Sequence, residues 1–310
     1  MIGTLVGAAF FLVNSFTSTF HANVNVIAES DAFPAGPRPP ASEEGAVNIL
    51  LLGTDGRGKA AQTGQGLLQS QRADTIMVAH LPADRSGVQI MSIMRDSWVD
   101  VPGHGHQKIN AALPLGGTSL MVATVENLLQ TRIDHVALVG FDGFAEMTDA
   151  LGGIEVQVEK AFTNEKHRFD AGPNHLDGEK ALYFVRARYP FADGDFQRVR
   201  NQQAFMHALA SRAISLETVS NPGAAFGFIE AVTSNLSVDP GFDPQTMMRL
   251  AFSLHRVDPE DVRLFTLPAE GTGMIAGQSV VLVDEARLGD VRRAFADDAV
   301  DTLERELAGS

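Results

Sequence analysis

The chain has 310 residues, a formal net charge of −14 and no cysteine, and 45% of its residues are hydrophobic. This length accommodates one large α/β domain or two small ones. The acidic balance argues against nucleic acid as a partner, because general nucleic-acid binding needs a basic face. The lack of cysteine excludes disulfides, thiolate metal sites and thiol nucleophiles.

The N-terminal region divides into an apolar start and a Pro-rich stretch. Residues 2–13 are apolar, which is short of the roughly 20 residues that cross a bilayer, and the first basic residue is Arg38. We interpret residues 1–20 as the remnant of a membrane anchor or a signal-like segment, with a buried helix or a disordered tail as the alternative. Residues 21–45 have the composition of a semi-extended linker. A domain over 46–310, held away from a membrane, is therefore expected.

From residue 46 onward, predicted strands alternate with predicted helices. The strands cover 47–52, 75–81, 88–93, 136–141, 154–158, 181–185 and 262–267. The helices cover 118–129, 143–151, 198–216, 226–233, 246–254 and 284–296. Residues 58–70 are polar and rich in Gly and Gln, which is typical of a mobile loop, and the acidic stretch 297–310 is interpreted as a solvated end. The alternation predicts a layered α/β domain with helices on both faces of a central sheet.

Two segments concentrate guanidinium and amide groups. Residues 182–188 alternate apolar and other residues and predict a strand, on which Arg186 and Arg188 point to the same face. In the helix that follows, Arg198 and Gln202 lie one turn apart. Since guanidinium groups bind phosphate in a bidentate manner, these side chains predict a seat for a phosphate or pyrophosphate.

Charged residues also mark the ends of predicted strands. Asp55, Asp74 and Arg95 each adjoin an apolar strand, and ligands of open α/β sheets bind at strand ends. The two aspartates are candidate ligands for a hard divalent cation such as Mg²⁺, which prefers a few carboxylates together with phosphate oxygens. Taken singly, they would be a turn residue and a cap; together with the arginines they predict a metal and phosphate site.

Other motifs are weaker. Residues 53–60 nearly match a nucleotide-binding phosphate loop, but Ala60 lacks the hydroxyl that would hold Mg²⁺. His104 and His106 lack further ligands at metal-site spacing and are interpreted as solvated loop residues. There is no nucleophile elbow. Covalent catalysis is therefore not indicated, whereas phosphoryl transfer needs mainly positioning and charge neutralisation.

Nine ordered motifs carry a family resemblance. They are LLGTDGR (51–57), RADTIM (72–77), SIMRD (92–96), KINAA (108–112), IDH (133–135), FDGF (141–144), DALGGIEV (149–156), LDGEKALYFVRAR (176–188) and GDFQRVRNQQ (194–203). With them the chain resembles the LytR-CpsA-Psr family of bacterial cell-envelope phosphotransferases over residues 46–216, and more loosely over 263–284.

The resemblance implies a layered α-β-α domain with a central mixed sheet, an apolar lipid-binding cavity and a single N-terminal anchor in the cell membrane, with the catalytic domain extracytoplasmic. It implies an Mg²⁺-dependent enzyme, with Mn²⁺ as the alternative ion, that transfers a glycopolymer with its phosphate from a polyprenyl pyrophosphate to a peptidoglycan hydroxyl. Hydrolysis of the carrier and non-catalytic binding by an envelope regulator stay open as alternatives. The apolar faces of 118–129 and 198–216 are the places to look for the lipid channel, with ordinary core as the alternative for both.

The resemblance also implies residue roles. Asp55 and Asp74 would hold the metal, and the base stays open among Asp55, Asp74 and Asp96. Arg95 would act in catalysis and bind pyrophosphate. The further pyrophosphate-binding residues would be Arg72, Lys108, Arg186, Arg188, Arg198 and Gln202.

Three positions depart from the family pattern. Met94 replaces a Pro, Leu113 replaces an aromatic residue, and Asn201 replaces an Arg, with Arg200 one position earlier. A shift of one residue turns a helical side chain by about 100 degrees. We therefore do not expect Arg200 to replace the missing donor.

Overall fold

The structure is a computed structural model that describes residues 16–42, 44–55, 72–188, 191, 194–213 and 222–308. Its strands are β1 (Asn25–Val26), β2 (Val47–Thr54), β3 (Ala73–Leu81), β4 (Val88–Ile93), β5 (Trp98–Val101), β6 (Gly105–Lys108), β7 (His135–Gly140), β8 (Ile154–Val158), β9 (Phe162–Asn164), β10 (His167–Phe169), β11 (Gly172–Leu176), β12 (Leu236–Val238), β13 (Val262–Thr266), β14 (Ala269–Ile275) and β15 (Gln278–Val283). The helices are α1 (described over 16–23), α2 (Glu29–Ala32), α3 (Ala112–Leu129), α4 (Phe141–Ala150), α5 (Gly178–Arg186), α6 (Gly194–Ala213), α7 (Pro222–Asn235), α8 (Pro244–Ser253), α9 (Glu285–Ala296) and α10 (Val300–Ala308).

A mixed sheet of seven strands forms the centre of the described part of the chain, in the order β1-β12-β7-β2-β3-β4-β13. The central strand β2 is parallel to β7 and antiparallel to β3. β4 is antiparallel to β3 and parallel to β13. Helices cover both faces, so the predicted α/β fold with a central mixed sheet is confirmed.

The two faces of the sheet follow from strand alternation, because successive side chains point to opposite faces. On one face, Leu50, Val78 and Met91 are fully buried in a core cluster shared with helices α3, α9 and α10. On the other face, Leu51 and Met77 belong to a second cluster, which packs against α6 and α8.

The segment predicted as a strand over 181–185 is instead helix α5. The Asp177 carboxylate accepts a hydrogen bond from the backbone N–H of Lys180 at 2.8 Å, which caps the first turn. Ala181, Phe184 and Val185 are buried at helical spacing. The apolar residues that suggested an alternation along 182–188 lie instead on one face of a helix, and the strand prediction was wrong.

The Pro-rich stretch is packed against the domain, which differs from the predicted linker. Ile27 and Ala32 are fully buried in the main core cluster, and β1 pairs with β12. Arg38 Nη2 lies 2.7 Å from Glu126 Oε1 in a largely buried ion pair. Buried apolar residues and an ion pair therefore connect this stretch to the core, and composition alone does not show them.

The C-terminal stretch also differs from prediction. Val300 and Leu303 of α10 are buried in the main core cluster, so this end is not a solvated tail. Asp298 accepts a hydrogen bond from the backbone N–H of Ala83 at 2.9 Å and lies 2.8 Å from His80 Nε2.

The predicted apolar start over 2–13 and the predicted loop over 58–70 lie outside the described residues. Within the part of the chain that is described, none of the helices combines the length and the hydropathy required to cross a bilayer.

Candidate active site

The site forms at the strand ends on one side of the central sheet, where β2 ends and the antiparallel strand β3 begins. Asp55 follows β2 and is exposed, and its Oδ1 accepts a hydrogen bond from the backbone N–H of Arg72 at 3.0 Å. The strand register shifts between Gly53 and Thr54 at this point, which is the mark of a bulge. Asp55, directly after β2, and Asp74, at the start of β3, therefore lie at the same end of two neighbouring strands.

Asp74 forms an ion pair with Arg95, which follows β4. Burial alone would lower the pKa of the Arg95 guanidinium, but the Asp74 charge and hydrogen bond outweigh it, so this pKa lies above its usual value. The Arg95 Nε is buried without a hydrogen-bond acceptor among the described residues. Arg95 is therefore a permanent cation with one donor still to be satisfied.

A polar pocket of about 130 Å³ brings six of the predicted residues together. These residues are Asp74, Arg95, Arg186, Arg188, Arg198 and Gln202. They come from β3, from the turn after β4, from the end of α5 and the residues after it, and from α6. Because α5 ends at Arg186 and Ala187 is extended, Arg186 and Arg188 both reach the pocket from the end of a helix rather than from a strand.

Two of the arginines are held differently. The exposed Arg186 lies over the Phe141 ring, 4.6 Å from its centroid. Arg198 is 5% exposed, and its Nη2 lies 2.7 Å from Asp195 Oδ1. Burial and the nearby Arg95 charge lower the pKa of Arg198. The Nε of Arg198, like that of Arg95, is buried without an acceptor among the described residues. Cations that repel one another and keep unpaired donors fit an anionic ligand.

Four predicted site residues are not among those that line this pocket: Asp55, Arg72, Asp96 and Lys108. Asp96 is 7% exposed, and its Oδ1 lies 3.3 Å from Lys108 Nζ. Burial opposes ionisation of Asp96, but hydrogen bonding with Asp195 and the charges of Arg95 and Lys108 leave its pKa below the usual value. Asp96 and Lys108 thus form an ion pair with each other, and neither is among the residues that line the pocket.

The two candidate metal ligands were tested by their donor chemistry. No group of three His, Cys, Asp or Glu side chains that could hold a metal ion occurs among the described residues. Mg²⁺ does not need such a group, because one or two carboxylates with substrate phosphates and water complete its shell. Asp55 and Asp74, at one strand edge beside an arginine pocket, fit that arrangement.

An apolar cavity of about 260 Å³ adjoins the polar pocket, on the α4, α6 and α7 side of the sheet. Leu51 and Val139 line it from the sheet, and Phe144, Phe205 and Phe228 line it from the three helices. Its wall includes residues that also line the polar pocket: Thr75, Phe141, Val185 and Gln202. Of the two predicted helical faces, that of α6 contributes to this cavity, whereas buried residues of 118–129 lie in the core on the opposite face.

The departures from the family pattern have local explanations. Met94 is buried beside Val199 and Val281. Asn201 is buried and donates to the Phe184 carbonyl at 3.2 Å. Arg200 contacts Gln197 and lies 3.5 Å from Glu159, outside the set that lines the polar pocket. As expected, Arg200 does not take the place of the missing donor.

Sequence reasoning missed Asp195, which contacts both Arg188 and Arg198. Asp195 precedes Arg198 by three residues and lies before the predicted helix 198–216, whereas the observed helix begins at Gly194 and makes the two side chains neighbours.

The fold and the site together define an α/β protein with an arginine-rich anion pocket joined to an apolar cavity. The sequence model of the LytR_cpsA_psr family matches residues 11–297 of this chain. The chain therefore belongs to the LytR_cpsA_psr family.

Relatives agree with this assignment. The chain is 33% identical over 251 residues to the polyisoprenyl-teichoic acid–peptidoglycan teichoic acid transferase TagU of Enterococcus faecalis, covering 79% of this chain and 77% of that protein. It is 36% identical over 268 residues to the probable cell wall biosynthesis protein LcpB of Corynebacterium glutamicum, covering 82% of this chain and 62% of that protein.

Solved structures share the fold. The crystal structure of B. subtilis TagV matches with a TM-score of 0.67 and 25% identity, over 83% of this chain and 98% of that one. A structure titled TagT bound to LI-WTA matches with a TM-score of 0.66 and 22% identity, over 86% of this chain and 98% of that one.

Proposed function

We propose that this protein transfers a glycopolymer with its phosphate from a polyprenyl pyrophosphate carrier to a hydroxyl of peptidoglycan. The acceptor hydroxyl would give its proton to a carboxylate, for which Asp55, Asp74 and Asp96 are the candidates. Its oxygen would form a bond to the phosphorus that carries the glycan, and the bond from that phosphorus to the bridging oxygen of the pyrophosphate would break. Polyprenyl phosphate would then leave. The names of the TagU relatives, polyisoprenyl-teichoic acid–peptidoglycan teichoic acid transferases, support a carrier-to-peptidoglycan transfer of this kind.

One observation carries the proposal: the polar pocket and the apolar cavity share a wall. A polyprenyl pyrophosphate has a diphosphate joined directly to a hydrocarbon chain, and it needs these two environments side by side. Each buried methylene contributes roughly 0.8 kcal/mol, so a long hydrocarbon tail favours an enclosed apolar channel over an open surface. The four shared residues, Thr75, Phe141, Val185 and Gln202, mark where the head group would meet the tail.

The arginines supply the charge that transfer requires. Phosphoryl transfer depends mainly on positioning and on electrostatic stabilisation of oxygens that gain charge. Arg95 and Arg198 each have a buried Nε without an acceptor among the described residues, and Arg186 approaches from the exposed side. The three guanidinium groups would orient the diphosphate and hold the charge of the leaving phosphate.

Asp55 and Asp74 are proposed to hold Mg²⁺, with Mn²⁺ as the alternative. When bound, the ion would neutralise charge on the pyrophosphate oxygens. Because the proposed carrier is a membrane lipid, we also propose that the N-terminal segment anchors the protein to the cell membrane, with the domain on the outer side where peptidoglycan lies.

The test uses Arg186→Ala, since Arg186 is exposed and its loss should leave the fold intact. Transfer from a polyprenyl-pyrophosphate disaccharide to peptidoglycan, with Mg²⁺, should fall about 100-fold, as for loss of one donor to developing charge. Arg168→Ala is the matched control, because Arg168 is exposed and pairs with Asp170 instead of lining the pocket.

Mass spectrometry of lipid co-purified with the wild-type protein gives an independent reading. Recovery of a polyprenyl phosphate or pyrophosphate is expected. If Arg186→Ala transfers the glycan as fast as the wild type does, the arginine pocket has no part in the mechanism. A bound polyprenyl phosphate without transfer under any metal would mean that the protein is a binder only, and release of glycan to water would mean that it is a hydrolase.

A further inference from the structure

A further cavity, the edge cavity, lies beside β13, the strand at one edge of the central sheet. Its volume is about 520 Å³, and its walls come from β13, from the start of β14 and from helices α9 and α10. None of the described residues that line it also lines the polar pocket or the apolar cavity. The edge cavity is therefore separate from the site that the proposed function uses.

Glu304, on α10, is the residue of this cavity that lacks a partner. It is 9% exposed, and its Oε2 is buried without a hydrogen-bond partner among the described residues. Buried polar atoms are normally hydrogen-bonded and buried charges are normally paired, because each gives up its water on burial. Since Glu304 is part of the cavity wall, a ligand in the cavity is the remaining source of a donor. The carboxyl group therefore indicates a ligand that donates hydrogen bonds.

The charged groups of the cavity favour a cation that also has an anionic end. Asp284 caps α9, because its Oδ1 accepts a hydrogen bond from the backbone N–H of Arg287 at 3.0 Å. Its Oδ2 lies 4.0 Å from Arg287 Nε, and the Arg287 side chain is about half exposed. The lining thus includes two acidic side chains and one guanidinium group.

A metal ion fits this set poorly. Ca²⁺ takes about six to eight oxygen ligands, and Mg²⁺ bound by one or two carboxylates usually needs substrate phosphates as well. In the parts of the chain that the structure describes, no three His, Cys, Asp or Glu side chains form a group that could hold a metal ion. An organic cation is therefore the better match.

The rest of the wall suits a hydrocarbon stem. Apolar residues line it, including Leu264, Pro268 and Leu307. A lysine-type side chain packs its methylene groups along such a surface and keeps its ammonium group among polar partners. An ammonium group has three donors and no acceptor, which matches a carboxyl oxygen that has no donor. The cavity thus has the chemistry to receive a primary amine on a short methylene chain.

The edge cavity also extends to the strand ends at which the polar pocket lies. Thr266 lines the cavity and is paired with Ser92 on β4, the parallel strand that Arg95 follows. Ala269, another lining residue, packs against the cluster that contains Met94, the chain neighbour of Arg95. A molecule bound in the edge cavity would therefore be held next to the elements that carry the pocket.

We propose that the edge cavity binds the side-chain ammonium group of a diamino acid residue in a peptide. Glu304 would accept from the ammonium group, the apolar wall would pack against the methylene stem, and Arg287 would pair with a carboxylate of the same residue. The inference rests on the proposed function, because the peptide part of peptidoglycan would supply this residue. The polar pocket would then hold the carrier while the edge cavity holds the acceptor.

Two small probes test the ammonium requirement on the whole chain. Nα-acetyl-lysine has the ammonium group and a carboxylate, whereas Nα,Nε-diacetyl-lysine keeps the size and lacks the cation. In titrations followed by nuclear magnetic resonance, the first should bind the wild type at least about 10-fold more tightly than the second, since only the first makes a charge-assisted hydrogen bond.

Glu304→Gln removes the charge and keeps the size of the side chain. It should weaken binding of Nα-acetyl-lysine by about 10-fold. It should not lower the melting temperature, because Glu304 Oε2 has no partner to lose among the described residues. Glu306→Gln is the matched control, since Glu306 lies on the same helix and is exposed.

The transfer assay tests whether the ligand is the acceptor. Glu304→Gln should raise the KM for peptidoglycan by about 10-fold, with the main effect in KM, as for loss of an interaction made equally before and during the reaction. Acetylating the free amino groups of the peptidoglycan should raise the wild-type KM to the same extent. Glu306→Gln should leave both KM and kcat as in the wild type.

Equal affinity for the two probes, or a Glu304→Gln protein that binds Nα-acetyl-lysine like the wild type, would overturn the ammonium site. A lowered melting temperature in Glu304→Gln would show that Glu304 has a partner within the protein, which contradicts the argument. Normal probe binding with an unchanged KM for acetylated peptidoglycan would overturn the assignment to the acceptor. A wild type that binds the probe but transfers no glycan would instead overturn the proposed function.

Discussion

The same strands form both faces of the central sheet, but the two faces differ in how completely their side chains are packed. On one face, Leu50, Val78 and Val136 are fully buried against α3, α9 and α10. On the other, their strand neighbours Leu51 and Val139 are only partly buried and line the apolar cavity under α4, α6 and α7. Close packing is the normal condition of a protein interior. The first face supplies stability, and the second leaves that packing incomplete next to the arginine pocket.

This difference indicates that one face of the sheet stabilises the fold, whereas the other leaves space for a ligand. A cavity lined by apolar side chains forgoes dispersion contacts that a filled core would make. Such a loss is tolerated where a ligand restores the contacts, and the position of the cavity beside the anion pocket gives that ligand a charged end. Substitutions at matched positions on the two faces test this difference in packing.

The largest expected effect comes from Leu50→Ala, which should lower the free energy of unfolding by about 2–5 kcal/mol because it opens a hole in a filled core. Leu51→Ala, one residue along the same strand, should cost about 1 kcal/mol, since its side chain already faces the cavity. Chemical denaturation of both variants measures the difference. Equal losses would show that both faces are packed alike in solution.

A second pair inserts volume instead of removing it. Val139→Phe should fill part of the cavity, weakening the binding of geranylgeranyl pyrophosphate by about 10-fold, or 1.4 kcal/mol, with little change in stability. Val136→Phe, on the packed face of the same strand, should cost about 1–3 kcal/mol of stability through overpacking. Calorimetry and thermal unfolding report the two quantities separately. A Val139→Phe protein that binds the probe normally would place the hydrocarbon tail elsewhere.

The smallest expected effect is on the pH dependence of the free energy of unfolding, and it concerns His80 on the packed face of the sheet. His80 is buried between Asn48 and Asp298, 2.8 Å from each, and burial lowers its pKa despite the attraction of Asp298. The unfolded chain has an ordinary His pKa of about 6.5, so it takes up the proton first. The His80 contribution to stability is therefore present above that pH and is lost as the pH falls below it.

His80→Gln should flatten the dependence of unfolding free energy on pH as the pH falls through about 6.5, where the histidine of the unfolded chain takes up its proton. His106→Gln is the control, because His106 is exposed on β6. An unchanged slope in His80→Gln would show that His80 is protonated in the folded protein. The change should be smaller than the loss caused by Leu50→Ala, since it removes no packed side chain.

Much of this arrangement could be predicted from residue order. Apolar segments predicted β2, β3 and β4 within a few residues, and the charged residues at their ends, Asp55, Asp74 and Arg95, were predicted to belong to one metal and phosphate site. That prediction used the rule that ligands of open α/β sheets bind at strand ends. Six predicted residues do share one pocket, although their chemical roles stay predictions.

Other features depended on contacts between distant parts of the chain. The segment 182–188 has a pattern too short to separate a strand from a helix, and in the structure Phe184 is buried in a cluster with Phe169 and Phe205, which lie on other elements. The Pro-rich stretch has the composition of a linker, yet Ile27 and Ala32 find a core formed by residues far along the chain. The contact of Asp195 with Arg188 joins two different elements, so no single segment shows it.

The α/β class, the family and the charged residues available for an anion site follow from the amino-acid sequence, because these depend on local pattern and on residue type. The folded chain was needed to show that the arginines come from the turn after β4, from the end of α5 and from α6, and that an apolar cavity shares a wall with their pocket. The physical reason is that a pocket is the space left between elements. Its size and lining depend on how far α4, α6 and α7 stand from the sheet, which no single segment encodes.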